Sequence, residues 1–163
     1  MQPMTSEERY MALALKEAEK AFLEGDVPVG CVIVHKGKVI AKGRNARERK
    51  KNALLHAELV AIDKACRKLG GWRLWECELY VTLEPCPMCC GAIINARIPK
   101  VYIGAPDSKA GSMGSIVNLT DYPFNHKPYI QFGILEEKSV TLMKDFFQKL
   151  RKKRTKNKTT ETE

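Results

Sequence analysis

Two short runs constrain this chain most: His56-Ala57-Glu58, and Pro85-Cys86-Pro87-Met88-Cys89, whose first cysteine lies 30 residues after the histidine. An imidazole and a Cys-x-x-Cys pair are three donors of the kind zinc prefers. Donors so far apart in sequence share an ion only if the fold brings their segments together. The chain pattern shows how. Cys86 and Cys89 fall in the first turn of a helix expected over Pro85 to Ala96, directly after a strand expected over Leu79 to Leu83. Their three-residue spacing puts both thiols on one side of it, and proline suits a helix start, where its missing N–H is no loss. His56 lies near the start of a helix expected from Ala53 to Leu69, with Leu55, Leu59, Ile62, Cys66 and Leu69 on one face and Gly70-Gly71 as its end. Two helix starts meeting at one edge of a sheet can hold one metal.

The donor count indicates what that metal does. A structural zinc is normally closed by four protein ligands, whereas a catalytic one keeps a position open for water. His35, in a predicted hairpin turn, and His126, in a distant loop, are poor fourth ligands. Glu58 is two residues from His56 and points to a different side of the helix. It is therefore read as a general acid/base within reach of a reacting water rather than as a ligand. Cys90, adjacent to Cys89, faces away from such a site and is assigned to the core. Cys31, Cys66 and Cys77 sit among apolar residues and are read the same way, as reduced thiols.

The remaining chain supplies a frame. Thr5 and Glu8 have capping-box spacing ahead of Met11, Ala14, Leu15, Ala18 and Phe22, with Gly25 as a stop. Val27 to Val34 and Val39 to Ala41 read as a hairpin, Val101 to Ala105 as a fourth strand, and Tyr129 to Leu135 as a fifth. Arg44 to Asn52 and Pro106 to Tyr122 read as loops. A last helix is expected from Glu136 to Arg154. Strands alternating with helices imply an α/β fold with a partly antiparallel sheet. One domain over residues 1–154 is expected, with a disordered tail over 155–163. No apolar run reaches the ~20 residues of a membrane span, and Met1 to Glu8 lacks the pattern of a signal peptide; a cytoplasmic protein is expected. Charge is uneven: residues 149–163 hold seven Lys/Arg against two Glu, which is +5 of the net +9. Such a tail suits a polyanion, nucleic acid first, or is simply a solvated terminus.

His-x-Glu followed by Pro-Cys-x-x-Cys is the recognised signature of zinc nucleobase deaminases. At these residues the chain resembles the bacterial tRNA-specific adenosine deaminases of the cytidine deaminase superfamily. The likeness extends to Gly25-Asp26-Val27-Pro28-Val29-Gly30, Gly43-Arg44-Asn45, Leu79 to Cys86, the Gly104 to Ser115 loop and Asn125-His126. It covers roughly residues 5 to 150. The resemblance implies a three-layer α/β/α fold with a five-stranded mixed sheet flanked by helices, a homodimer, and one zinc per subunit held by His56, Cys86 and Cys89. It implies Glu58 as proton shuttle and conversion of adenosine to inosine at the wobble position of a tRNA anticodon, usually in an arginine tRNA. Asn45 and the Val27, Pro28 and Val29 segment would contact the target nucleoside, and Asp107 lies in the loop that would meet flanking RNA. Phe146 and Phe147 lie on the final helix, where the family presents an aromatic and basic surface to the anticodon stem-loop; at least one is expected to pack in the core. The basic tail after Leu150 has no motif to align with the family. A deaminase of a free base or nucleoside, guanine or cytosine, shares every zinc residue and is the nearest rival. A zinc-binding nucleic-acid module without catalysis is the other.

Overall fold

The computed structural model describes residues 2–161. Helix α1 (Ser6–Leu23) starts at a capping box: the Thr5 hydroxyl accepts from Glu8 N while the Glu8 carboxylate accepts from Thr5 N. Strands β1 (Gly30–His35) and β2 (Lys38–Arg44) form an antiparallel hairpin. Helix α2 (Ala57–Leu69) ends on Gly70, whose φ of 73° a side chain would resist. Then come β3 (Cys77–Leu83), α3 (Pro87–Asn95), β4 (Lys100–Ala105), a 3-10 turn (Leu119–Asp121), β5 (Tyr129–Gln131) and α4 (Glu136–Thr160). The sheet order is β2-β1-β3-β4-β5, antiparallel on either side of β1 and parallel from β3 to β5. The mixed five-stranded sheet between helices is the one expected.

Alternation along the strands builds two cores, because successive side chains point to opposite faces. Cys31, Ile33, Leu79, Val81, Val101 and Ile103 pack beneath α2 and α3. Val32, Val34, Tyr80 and Tyr102 pack with Met11, Ala14 and Leu15 of α1. Two glycines set how closely the helices approach. A Cβ on Gly30 would collide with the Ala14 carbonyl, and one on Gly43 would collide with the Ala57 carbonyl and lie 2.8 Å from Ala61 N. On the α1 side, α4 approaches β4 at Gly104, where Ser139 Oγ is 2.5 Å from the position of an added Cβ.

Five expectations are corrected. Helix α2 begins at Ala57, not Ala53, because residues 45–56 are tied into a loop: Asp26, itself buried, accepts from Glu48 N (2.7 Å) and Arg49 N (3.3 Å), and Ala46 N donates to Leu55 O. Its inward face is Ala57, Ala61 and Ala65, and the larger Leu55, Leu59, Ile62 and Cys66 are only half-buried. Small residues face the sheet because the helix lies so close over Gly43. The first strand starts at Gly30 rather than Val27, since Val29 N turns back to Val27 O and leaves that segment outside the ladder. Strand β5 stops at Gln131: Gly133 (φ 89°) and Leu135 (φ 52°) turn the chain into α4. The supposed tail is helical through Thr160. No Gly or Pro interrupts it, and Lys and Arg are good helix formers. Thr162 and Glu163 lie outside the described residues. Among the described residues, no helix is long and apolar enough to cross a membrane.

Candidate active site

The site lies where the parallel strands β3 and β4 end, with Leu83 paired to Ala105. From β3 the chain runs through Glu84 and Pro85 to Cys86, the N-cap of α3; Cys89 follows in the first turn. His56 is the N-cap of α2. The His56 side chain makes no capping bond to its own helix and points across the gap to Cys86 and Cys89. Asn45 takes over at α2, its Oδ1 accepting from Ala57 N at 2.9 Å.

His56 Nδ1 lies 3.6 Å from Cys86 Sγ and 3.5 Å from Cys89 Sγ. All three donor atoms are within 4.8 Å of one another, and among the described residues no other His, Cys, Asp or Glu joins them. Bonds of about 2.3 Å to sulfur and about 2.0 Å to nitrogen, opened to a tetrahedral angle, place S and N about 3.5 Å apart. The set fits a zinc ion with one position left over. His35 instead pairs with Glu76, and His126 bonds Ile98 O and packs against Trp75.

The electrostatics suit cation binding. The Cys89 thiol, bonded to Cys86, and then the His56 imidazole draw the Cys86 thiol down to about 4. The same bond to Cys86, then burial, pushes the Cys89 thiol up, so the first thiolate forms at Cys86. The bond to Cys86 also raises His56. Both helix N-termini add positive potential toward the sulfurs. Glu58, 4% exposed, is pushed up to about 7 by burial and then by the charge of Cys86.

Glu58 is no member of the donor cluster, but it opens with His56 and Cys86 into one cavity of about 720 Å³. Val27, Val29 and Asn45 line one wall, and Asp107 belongs to the wall formed by the loop after β4. Pro28, expected beside them, is buried and does not line the cavity. The Asn45 amide nitrogen has no hydrogen-bond partner among the described residues and is available to a ligand. The Asp107 carboxylate is partly committed to its own loop, accepting from Lys109 N and Ala110 N. Of the two phenylalanines, Phe146 packs edge-on against Phe22 in the core, whereas Phe147 faces the cavity with Lys109 Nζ 5.9 Å from its ring centre. Cys31, Cys77 and Cys90 are buried in the core as expected; Cys66 is half-buried.

Two features escaped the sequence reading. The first is a cationic rim of Arg47, Lys109, Lys144 and Arg151, drawn from three separate segments. The second is Glu84, 2% exposed, whose carboxylate organises the loop after β4. It accepts from Asp107 N (3.1 Å), Met113 N (3.0 Å), Ser115 N (3.1 Å) and the Ser115 hydroxyl. Gly111 lies against it, where a Cβ would strike the carboxylate. Glu84→Ala is expected to lower stability by about 2–4 kcal/mol, since it leaves several buried donors unpaired. It should also open the loop to trypsin after Lys109. An unchanged cleavage rate there would show that Glu84 does not hold the loop.

Residues 4–105 match the cytidine and deoxycytidylate deaminase zinc-binding region. With its donor cluster and buried carboxylate at the ends of parallel strands, the chain belongs to that deaminase family. Within it, the chain is 47% identical to the tRNA-specific adenosine deaminase of Bacillus subtilis (strain 168), over 93% of this chain and 94% of that one. A solved tRNA:A34 deaminase, described for A-to-I editing at the wobble position of transfer RNA, is similar with a TM-score of 0.80 at 41% identity. That match covers 82% of this chain and 98% of that one. A guanine deaminase from Bacillus subtilis is more distant, with a TM-score of 0.61 and 34% identity over 89% of this chain and 93% of that one.

Proposed function

We propose that this protein is a zinc-dependent tRNA adenosine deaminase, converting adenosine to inosine at the wobble position of an anticodon, with an arginine tRNA as substrate. The observation that carries this reading is the shared cavity: two of the three zinc donors, His56 and Cys86, and the buried Glu58 carboxylate at its floor, and four cations with one exposed aromatic ring at its mouth. The relatives named above support the substrate class.

His56, Cys86 and Cys89 hold the ion, which when bound polarises water for attack at neutral pH. Glu58 performs the proton transfers. It accepts a proton from the attacking water and passes it to purine N1 as oxygen adds to C6. It then carries the second proton from that oxygen to the exocyclic amine, which leaves as ammonia. Burial raises the carboxyl above the usual carboxylate range, which helps it hold a proton between the two transfers. Asn45 orients the base through its amide nitrogen, helped by the Val27 and Val29 wall. The base must leave its stack to reach the floor, which costs least in a single-stranded loop. Arg47 and Lys109 then sit beside the flanking phosphates.

A second copy of the chain covers the outer side of α2 and α3, where Leu54 is exposed and Leu55, Leu59, Ile62 and Met88 are half-buried. Sedimentation equilibrium at twice 18.4 kDa checks this homodimer. A cytoplasmic location follows from the substrate. Ammonia release measured on an anticodon stem-loop, and on free guanine, cytosine and adenosine, tests the function. Turnover confined to the stem-loop is expected. Turnover on free guanine or cytosine alone would transfer the protein to the nucleobase deaminases, and none on any of the four would leave a zinc-binding module.

A further inference from the structure

From the end of β2 to the turn at Glu48 and Arg49, the chain delivers two side chains to the cavity, Asn45 and Arg47. This short segment is anchored at both ends to the C-terminal part of α1 and the turn after it. At its near end, Arg44 uses all three guanidinium nitrogens. Nε and Nη2 donate to the two oxygens of Glu24 (3.1 and 2.8 Å), and Nη1 donates to Glu17 Oε2 (3.2 Å). At its far end, Arg49 Nε lies 3.1 Å from Glu24 Oε2, and the buried Asp26 carboxylate accepts from Glu48 N and Arg49 N. Glu17 and Glu24 are two helical turns apart and so share one side of α1. That helix is itself pressed onto the sheet at Gly30, which makes it a firm anchor. A lone exposed ion pair contributes little, but a two-pronged arginine contact inside a network fixes geometry.

We infer that Arg44 is a positioning residue for the deamination: held by Glu17 and Glu24, it fixes the backbone of Asn45, so that the Asn45 amide meets the target base in one orientation. The inference rests on the reading of an adenosine as substrate and adds to it the residues that aim the base-binding group. Asn45 serves two elements at once. Its Oδ1 accepts from Ala57 N at the start of α2, and its amide nitrogen is left for the cavity. With one end of so short a side chain committed, the direction of the other depends on where its own Cα is held. The sheet alone does not hold it: Arg44, opposite Gly30, is the last rung of the β1–β2 ladder. Beyond that rung Asn45 N keeps one bond, to Val29 O at 3.2 Å. The ion-pair network takes over where the ladder stops. Arg44, Glu17, Glu24 and Asp26 do not line the cavity, so removing the guanidinium alters no contact with a bound base. It alters only the placement of Asn45, and a misplacement of about 1 Å can slow a reaction by about 10²-fold.

Arg44→Met keeps the aliphatic stem and removes the guanidinium. Lys20→Ala is the control, since it removes another ion pair to Glu17 and leaves the contacts of Arg44 in place. Zinc content, and kcat and KM for ammonia release from an anticodon stem-loop, are measured on the zinc-loaded full-length protein. Arg44→Met is expected to keep one zinc per chain, to lower kcat by about 10–100-fold and to change KM by less than about threefold. Lys20→Ala should match the unaltered protein. The same substitution is then made in Asn45→Asp, where an oxygen still caps α2 but the amide donor is gone. There Arg44→Met should slow single-turnover deamination by less than about twofold further, because the group it aims is already lost. An equal loss in both backgrounds, no loss in Arg44→Met, loss of zinc, or an equal loss in Lys20→Ala would each overturn the inference. Hydrogen exchange of residues 45–56 reads the anchoring without any turnover and should be several-fold faster in Arg44→Met. Unchanged exchange would overturn the anchoring. If the unaltered protein released no ammonia from the stem-loop, the functional reading would fail and the aiming of the base with it, while faster exchange would still show that Arg44 holds the segment.

Discussion

Glu58→Gln is expected to retain one zinc per chain and the fold, but to lose turnover by about 10²–10⁴-fold. Glutamine keeps the size and hydrogen-bonding capacity of the side chain but cannot carry a proton. The effect should be large because Glu58 is buried and, among the described residues, no second free carboxylate lines the cavity: Asp107 turns to its own loop and Glu84 is bonded by the loop after β4. Elemental analysis beside an ammonia assay separates the possible roles. Loss of zinc in this variant would make Glu58 a ligand, and near-normal turnover would end its assignment as the acid/base.

Cys86→Ser is expected to have the other large effect. It should reduce bound zinc below one-tenth of an equivalent, with activity falling in proportion. Cys86 is the side of the pair at which the thiolate forms first, and a serine hydroxyl does not ionise in its place. Loss of a ligand bound at about a thousandfold above its dissociation constant removes about 4 kcal/mol. For a chain of this length that lowers the melting temperature by roughly 10 °C. The fold should survive, because neither core includes a zinc donor. A fully loaded Cys86→Ser protein with unchanged melting would remove Cys86 from the ligand set.

The zinc cluster was legible in the sequence because it depends on two local facts: a three-residue spacing at one helix start, and a histidine at another. Neither required knowledge of which strands pair. The inward face of α2 was misread because periodicity gives weight to large apolar residues. The close approach over Gly43 selects Ala57, Ala61 and Ala65 instead, and that approach is visible only once β2 and α2 are placed together. Glu84 was invisible for a similar reason. Its partners include three backbone N–H groups, which carry no residue identity, supplied by a loop more than twenty positions away. The end of β5 follows from the backbone turns at Gly133 and Leu135, and the apolar spacing of Tyr129 to Leu135 does not reveal them. The last helix was cut short because a run of like charges reads as solvated tail, although its composition permits helix.

Gly30 and Gly43 have a consequence for how such a protein can diverge. They occupy neighbouring strands and receive α1 and α2 against the sheet with no room for a methyl group. Substitution at either forces a whole helix to shift, and α2 carries both His56 and Glu58 at its start. Drift in this lineage is therefore channelled elsewhere. Loops at the cavity mouth and the exposed end of α4 can be exchanged, lengthened or recharged to suit a new substrate, while two side-chain-free positions that take no part in the chemistry remain closed to change.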